Sequence, residues 1–105
     1  MISETSVTGV LQGMHGLCAT GFDVDGPTPG PDFLHQVAAA LTWISGDSDR
    51  ARVVLRRGSY ALKHIIERDV GTYIPNGAAI VAGALAGFQI VRAGEGPNCR
   101  FRRPG

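Results

Sequence analysis

The residues able to do chemistry gather in SYALKHIIERDVGTYIPNG, between Ser59 and Gly77. Tyr60, Lys63, His64 and Glu67 supply phenol, ammonium, imidazole and carboxylate within eight residues, and Tyr73 and Asn76 follow closely. Such groups could perform proton transfer, with His64 as a base beside Ser59 or Tyr73. No nucleophile turn or oxyanion loop accompanies them, and adjacent helix positions point apart, so no catalytic residue is assigned. A Lys-His pair on a helix surface is usually structural or anion-binding, and Tyr60, His64, Tyr73 and Asn76 are the candidate partner contacts.

Metal chemistry has less to draw on. His15 and Cys18 have a ligand spacing, but Cys99, His35 and His64 are distant in sequence, and a zinc site normally shows two close pairs. The DVDG of Asp23 to Gly26 lacks the remaining ligands of a calcium loop. The glycines of residues 77–87 are separated by apolar residues rather than arranged as a phosphate loop. Neither metal nor cofactor is expected.

The charge distribution is informative. Net charge is +1, yet all ten Lys and Arg lie at or beyond Arg50, nine of them arginine, while six of nine acids precede it. Residues 1–49 carry −6, and residues 50–105 carry +7 from ten cations and three acids. Arginine favours bidentate contacts to phosphate or carboxylate. A basic half directs attention to a polyanionic partner, unless the acidic half folds back to neutralise it. Arg50, Arg52, Arg56, Arg57, Lys63, Arg100, Arg102 and Arg103 are the candidate nucleic-acid contacts, made mostly to phosphates of DNA or RNA with little base readout.

These residues need elements to hold them. Leu62, Ile65 and Ile66 follow Ala61 at helical spacing, with Ser59 as a cap and Gly71 as a left-handed stop. Lys63, His64 and Glu67 then fall mainly on the other side. The residue before Pro75 is pushed to extended geometry, and Asn76 is placed to cap a helix from Gly77 to Ala86. That helix has no charge, is too short to span a bilayer and reads as a buried core helix. Its Gly83 and Gly87 would also allow close approach by a neighbour, leaving a homodimer through this helix as one option.

Upstream, Leu34, Val37, Ala38, Leu41 and Ile44 predict a helix from Asp32 to Ser45, capped by Asp32, with Trp43 packed at the margin of its face. A short helix through Ala51, Val54 and Leu55 should start at Asp47, Ser48 or Asp49 and break at Gly58-Ser59. Downstream, Phe88 to Arg103 alternates around Gly94-Glu95-Gly96-Pro97 as a β-hairpin, with Arg100 and Arg102 on its outer face. Residues 1–30 carry glycine too often for a helix and read as a Gly/Pro-rich arm, with short strands at most; residues 31–105 form the helical domain. The expected fold is mainly α (α+β), about four helices and a C-terminal two-stranded hairpin. It is loosely winged-helix-like, although residues 77–86 lack the polar side chains of a recognition helix.

The core SYALKHIIE followed by TYIPNGAAIVAGALAGF resembles the pattern SYxLKHxxE…YxxNGxxIxAAxxxGF of short proteins from bacteriophages, plasmids and integrating elements. Ser59, Tyr60, Leu62, Lys63, His64, Glu67, Tyr73, Asn76, Gly77, Ile80, Gly87 and Phe88 carry the resemblance. It implies a mobile-element origin, and by analogy an accessory regulator or an inhibitor of host defence of the anti-CRISPR-like kind. Two functions follow as expectations. One is a non-enzymatic protein that binds DNA or RNA through its arginine-rich half. The other is an inhibitor that contacts a host protein or nucleoprotein complex, its acidic half imitating nucleic acid. No basic-then-apolar leader opens the chain and one cysteine pair makes no disulfide framework, so a cytoplasmic location in a bacterial host, away from membranes and with reduced thiols, is expected.

Overall fold

A computed structural model describes residues 3–92 and 94–104. Among these residues, five helices and two antiparallel hairpins follow in the order α1 (Glu4–Gly13), β1 (Leu17–Cys18), β2 (Gly21–Phe22), α2 (Phe33–Ile44), α3 (Ser48–Arg56), α4 (Ser59–Val70), α5 (Asn76–Leu85), β3 (Gln89–Arg92) and β4 (Cys99–Arg102). The fold is mainly α with a C-terminal hairpin, as the periodicity predicts.

The chargeless α5 lies at the centre. Residues Ala78 to Ala82 are fully buried, and α1, α2, α4, β2 and β3 all pack on this helix. A helix apolar all round has no face to offer water, so burying it from every side is its stable solution. The helix that a winged-helix protein would lay in a groove is here the core itself. Gly83 sits beneath the Phe101 ring of β4, where a Cβ would collide with the ring. The option of Gly83 as a contact to a second copy is therefore corrected: its own hairpin occupies that space.

Three other elements match their sequence signals. Helix α2 buries Phe33, Val37, Ala40, Trp43 and Ile44, and the Trp43 indole donates to Asp69 Oδ2 at 2.9 Å. Asp47 caps α3 by accepting from the Arg50 N–H at 3.1 Å, and the chain breaks at Gly58 before α4 begins. In the hairpin, Gln89 to Arg92 pair with Arg102 to Cys99. Cys99 and Phe101 point inward while Arg100 and Arg102 are exposed.

Residues 4–13 depart from expectation by forming a helix. Ser3 caps it, accepting from the Ser6 N–H at 3.1 Å. Val7 is buried, with Val10, Leu11 and Met14 packed against the core beside it; their spacing of three, one and three residues makes a helical stripe. Gly9 and Gly13 face open space and cost about 0.5–1 kcal/mol each relative to alanine. Packing of the stripe outweighs that penalty.

Two predicted caps are also corrected. Asp32 does hold the N-cap position of α2, though without a side-chain cap bond. Gly58, not Ser59, is the N-cap of α4, and Pro75, not Asn76, that of α5, neither with a side-chain cap bond. The hydroxyl of Ser59 and the amide of Asn76 are committed elsewhere, at the site.

Candidate functional site

Asn76 joins three segments. Its Nδ2 donates to the Thr20 carbonyl at 3.1 Å, to the Pro97 carbonyl at 3.4 Å and to Asn98 Oδ1 at 2.9 Å. The backbone beside it is bound as closely: the Gly77 N–H donates to the Ala19 carbonyl at 2.9 Å, and the Phe22 N–H to the Pro97 carbonyl at 2.8 Å. The turn between β1 and β2 thus supplies a carbonyl to the first turn of α5, in place of a side-chain cap. A Cβ on Gly77 would collide with the Cys18 carbonyl, and one on Gly21 (φ +115°) with the Pro97 carbonyl. Both positions are glycine because two backbones meet there.

Helix α4 forms the adjoining wall. Gly58 bridges to Arg100, and the buried Ser59 hydroxyl accepts from the Cys99 N–H at 3.0 Å. Tyr60 turns outward, 55% exposed. One turn on, Lys63 is only 6% exposed, correcting the expectation that it lies on the polar side. Its Nζ is 3.3 Å from Glu67 Oε1 and lies over two rings, 5.5 Å from the Tyr60 centroid and 5.1 Å from that of Tyr73. A buried ammonium needs such compensation.

Glu67 gathers the remaining partners. Its Oε2 is 2.9 Å from His64 Nδ1, and its Oε1 accepts from the Ile74 N–H at 3.2 Å. Burial by itself would raise the carboxyl pKa, but the Ile74, Lys63 and His64 bonds and the Lys63 charge outweigh it and hold the group below its ordinary value. The His64 ring meets Tyr60 edge-on, with centroids 4.6 Å apart. Thr20, Tyr60, Lys63, Tyr73, Asn76, Pro97 and Asn98 together line a cleft of about 390 Å³.

The structure therefore brings Tyr60, Tyr73 and Asn76 together on the cleft, whereas His64 does not line it and touches Tyr60 and Glu67 instead. Ser59 belongs to β4 rather than to His64, so those two form no nucleophile and base pair. Thr20, Pro97 and Asn98 were not singled out by the sequence. They lie on turns far along the chain from α4, and nothing local marks them. Burial pushes the Cys99 thiol up to about 11, with the Ser59 bond and the Arg92 charge opposing it. Among the described residues, no group of three or more His, Cys, Asp and Glu gathers as a metal site. Asp23 Oδ1 instead accepts from the Asp25 N–H at 3.0 Å, bracing its own turn.

The arginines divide into three settings. Arg50 is tied inward, donating to the Trp43 carbonyl at 3.0 Å and lying 4.9 Å from that ring's centroid. Arg52 is 3.6 Å from Asp49. Arg56 and Arg57 end α3 beside Arg100, which donates to the Arg56 carbonyl at 3.3 Å. These three, with Arg102 and Arg103, are exposed, and among the described residues no acid lies within 4.0 Å of any of them. Lys63, grouped with them by charge, belongs to the cleft.

The chain matches no protein-family model, and neither the curated proteins nor the solved structures searched gave a match. Among the described residues, no helix is long and apolar enough to cross a membrane.

Proposed function

We propose that this chain is a non-enzymatic accessory protein of phage or mobile-element type, which binds nucleic acid in the bacterial cytoplasm through phosphate contacts. One observation carries the reading: folding leaves most of the charge split uncompensated. Among the described residues, the close charged contacts join residues one to four apart in sequence, and Arg52–Asp49, at the junction, is the one that spans the acidic and basic halves. Arg56, Arg57, Arg100, Arg102 and Arg103 stay exposed where α3 meets β4, and such an array attracts a polyanion.

The test is a titration against labelled duplex DNA, single-stranded DNA and RNA at several salt concentrations. Neutralising about four to six phosphates gives a log K against log salt slope of about −3 to −5. Arg56→Ala with Arg57→Ala should weaken binding to every sequence and flatten the slope by about two units. Absence of binding at low salt overturns the reading. Exposed Asp23, Asp25 and Asp32 favour a second one, an anti-CRISPR-like inhibitor that covers a basic groove on a host complex. That reading predicts loss of inhibition when the three acids are neutralised.

A further inference from the structure

We infer that the cleft between Tyr60 and Tyr73 holds an unpaired base of a single strand, whose neighbouring phosphates run onto Arg56, Arg57 and Arg100. This deepens the phosphate-binding reading and rests on it, naming the form of nucleic acid the surface selects. Tyr60 and Tyr73 are 55% and 62% exposed, although each ring is held from within by the Lys63 ammonium. Lys63 is fixed in turn by Glu67, and His64 braces Tyr60. Exposed aromatic rings backed by a buried ammonium suit a stacking platform, and stacking tolerates any base because every base has a π-face.

The amide network gives the cleft a polar direction. Thr20 and Pro97 offer Asn76 only carbonyl oxygens, so the group facing them must be its NH₂. The same NH₂ requires Asn98 to accept with its Oδ1. The Asn98 NH₂, on an exposed residue at the rim, is therefore left as a donor suited to a base carbonyl. A cleft of about 390 Å³ is near the lower end of small-molecule sites, about 300–1,000 Å³, and suits one nucleoside. A base inside a duplex is stacked on both faces and paired along its edge, so it cannot enter.

The arginines adjoin this cleft by direct pairing. Gly58 bridges to Arg100, Ser59 bonds Cys99, and Tyr60 and Asn98 line the cleft together. Arg56 and Arg57 precede that contact, and Arg100 follows Asn98 across the buried Cys99. A strand that leaves the cleft along this pairing runs toward Arg100, whose guanidinium donates to the Arg56 carbonyl at the end of α3.

Anisotropy titrations of labelled oligo-uridine and of a duplex of equal length test the inference. The parent should prefer the single strand. Tyr60→Ala with Tyr73→Ala should lower single-strand affinity about tenfold or more and leave duplex affinity and its salt slope unchanged. Tyr60→Phe with Tyr73→Phe keeps both rings and should bind as the parent does. Equal affinity for the two forms, or an alanine variant that loses both alike, overturns the base site. The phosphate reading survives that result if Arg56→Ala with Arg57→Ala still weakens binding. A parent that binds neither nucleic acid overturns both.

Discussion

Asn76 shows how much one side chain can decide. Its amide donates to three oxygens contributed by the β1–β2 turn and the β3–β4 loop, while its own Oδ1 is buried without a donor. Asn76→Ala should lower unfolding free energy by about 1–3 kcal/mol, the cost of leaving buried polar groups unsatisfied, read as a shift in the urea midpoint. Asn76→Asp should be worse, because a carboxylate places negative charge against three acceptors and has no proton to donate. A smaller loss for aspartate than for alanine would contradict the donor assignment. The sequence identified this residue as important and misassigned its bond. A helix-start asparagine usually caps, but the Ala78 and Ala79 N–H groups it would accept from donate to the Pro75 carbonyl instead, and the side chain reaches the two hairpins.

Among the elements, α4 does most to place the site. Glu67 ties it to the extended link at Ile74 as well as to Lys63 and His64. Because the folded carboxyl titrates below its ordinary value of 4.5, its stabilisation is complete above that pH. It is lost as pH falls through the lowered folded value, since unfolding then takes up a proton. Urea midpoints measured across this acidic window should drop, and Glu67→Gln should flatten the drop while lowering stability at neutral pH. Helices α2 and α4 were legible because their apolar residues repeat at helical spacing, α5 because it follows the Pro75 link and carries no charge, and Gly58-Ser59 marked the break before α4. Helix α1 was not, although Val7, Val10, Leu11 and Met14 carry the same signal. Glycine frequency masked a stripe whose glycines merely face solvent. Within the site, Tyr60, His64, Tyr73 and Asn76 could be chosen from one stretch of chain. Thr20 and Asn98 could not, since they reach the cleft only when both hairpins dock.

At the scale of the molecule, the cleft exists because segments from both ends of the described chain close on α5. Cys18 and Cys99 are buried in the same closure, in β1 and β4. A thiol reagent at about pH 8 should leave the native protein unmodified and react with both cysteines in denaturant, since buried thiols are protected and the thiolate is the reactive form. Rapid modification of either cysteine without denaturant would show that the hairpins open independently of the core. The charge map, by contrast, is written in the chain and survives this closure. Six acids and ten cations are segregated along the chain, and the folded ion pairs remain too local to mix them.

The Asn76-Gly77 junction also bears on chemical ageing. Asparagine followed by glycine is the dipeptide most prone to lose its side-chain amide, because the next backbone nitrogen can close a ring onto it. Here that nitrogen is engaged by Ala19 at the start of a helix, and the amide is held by three oxygens, so the native fold works as a preservative. Each unfolding event lifts the protection and exposes the chain to a change that yields aspartate at this very position. A molecule so altered carries a carboxylate where Asn76 donates and unfolds more readily, while the lifetime of the intact protein is set by how often it unfolds.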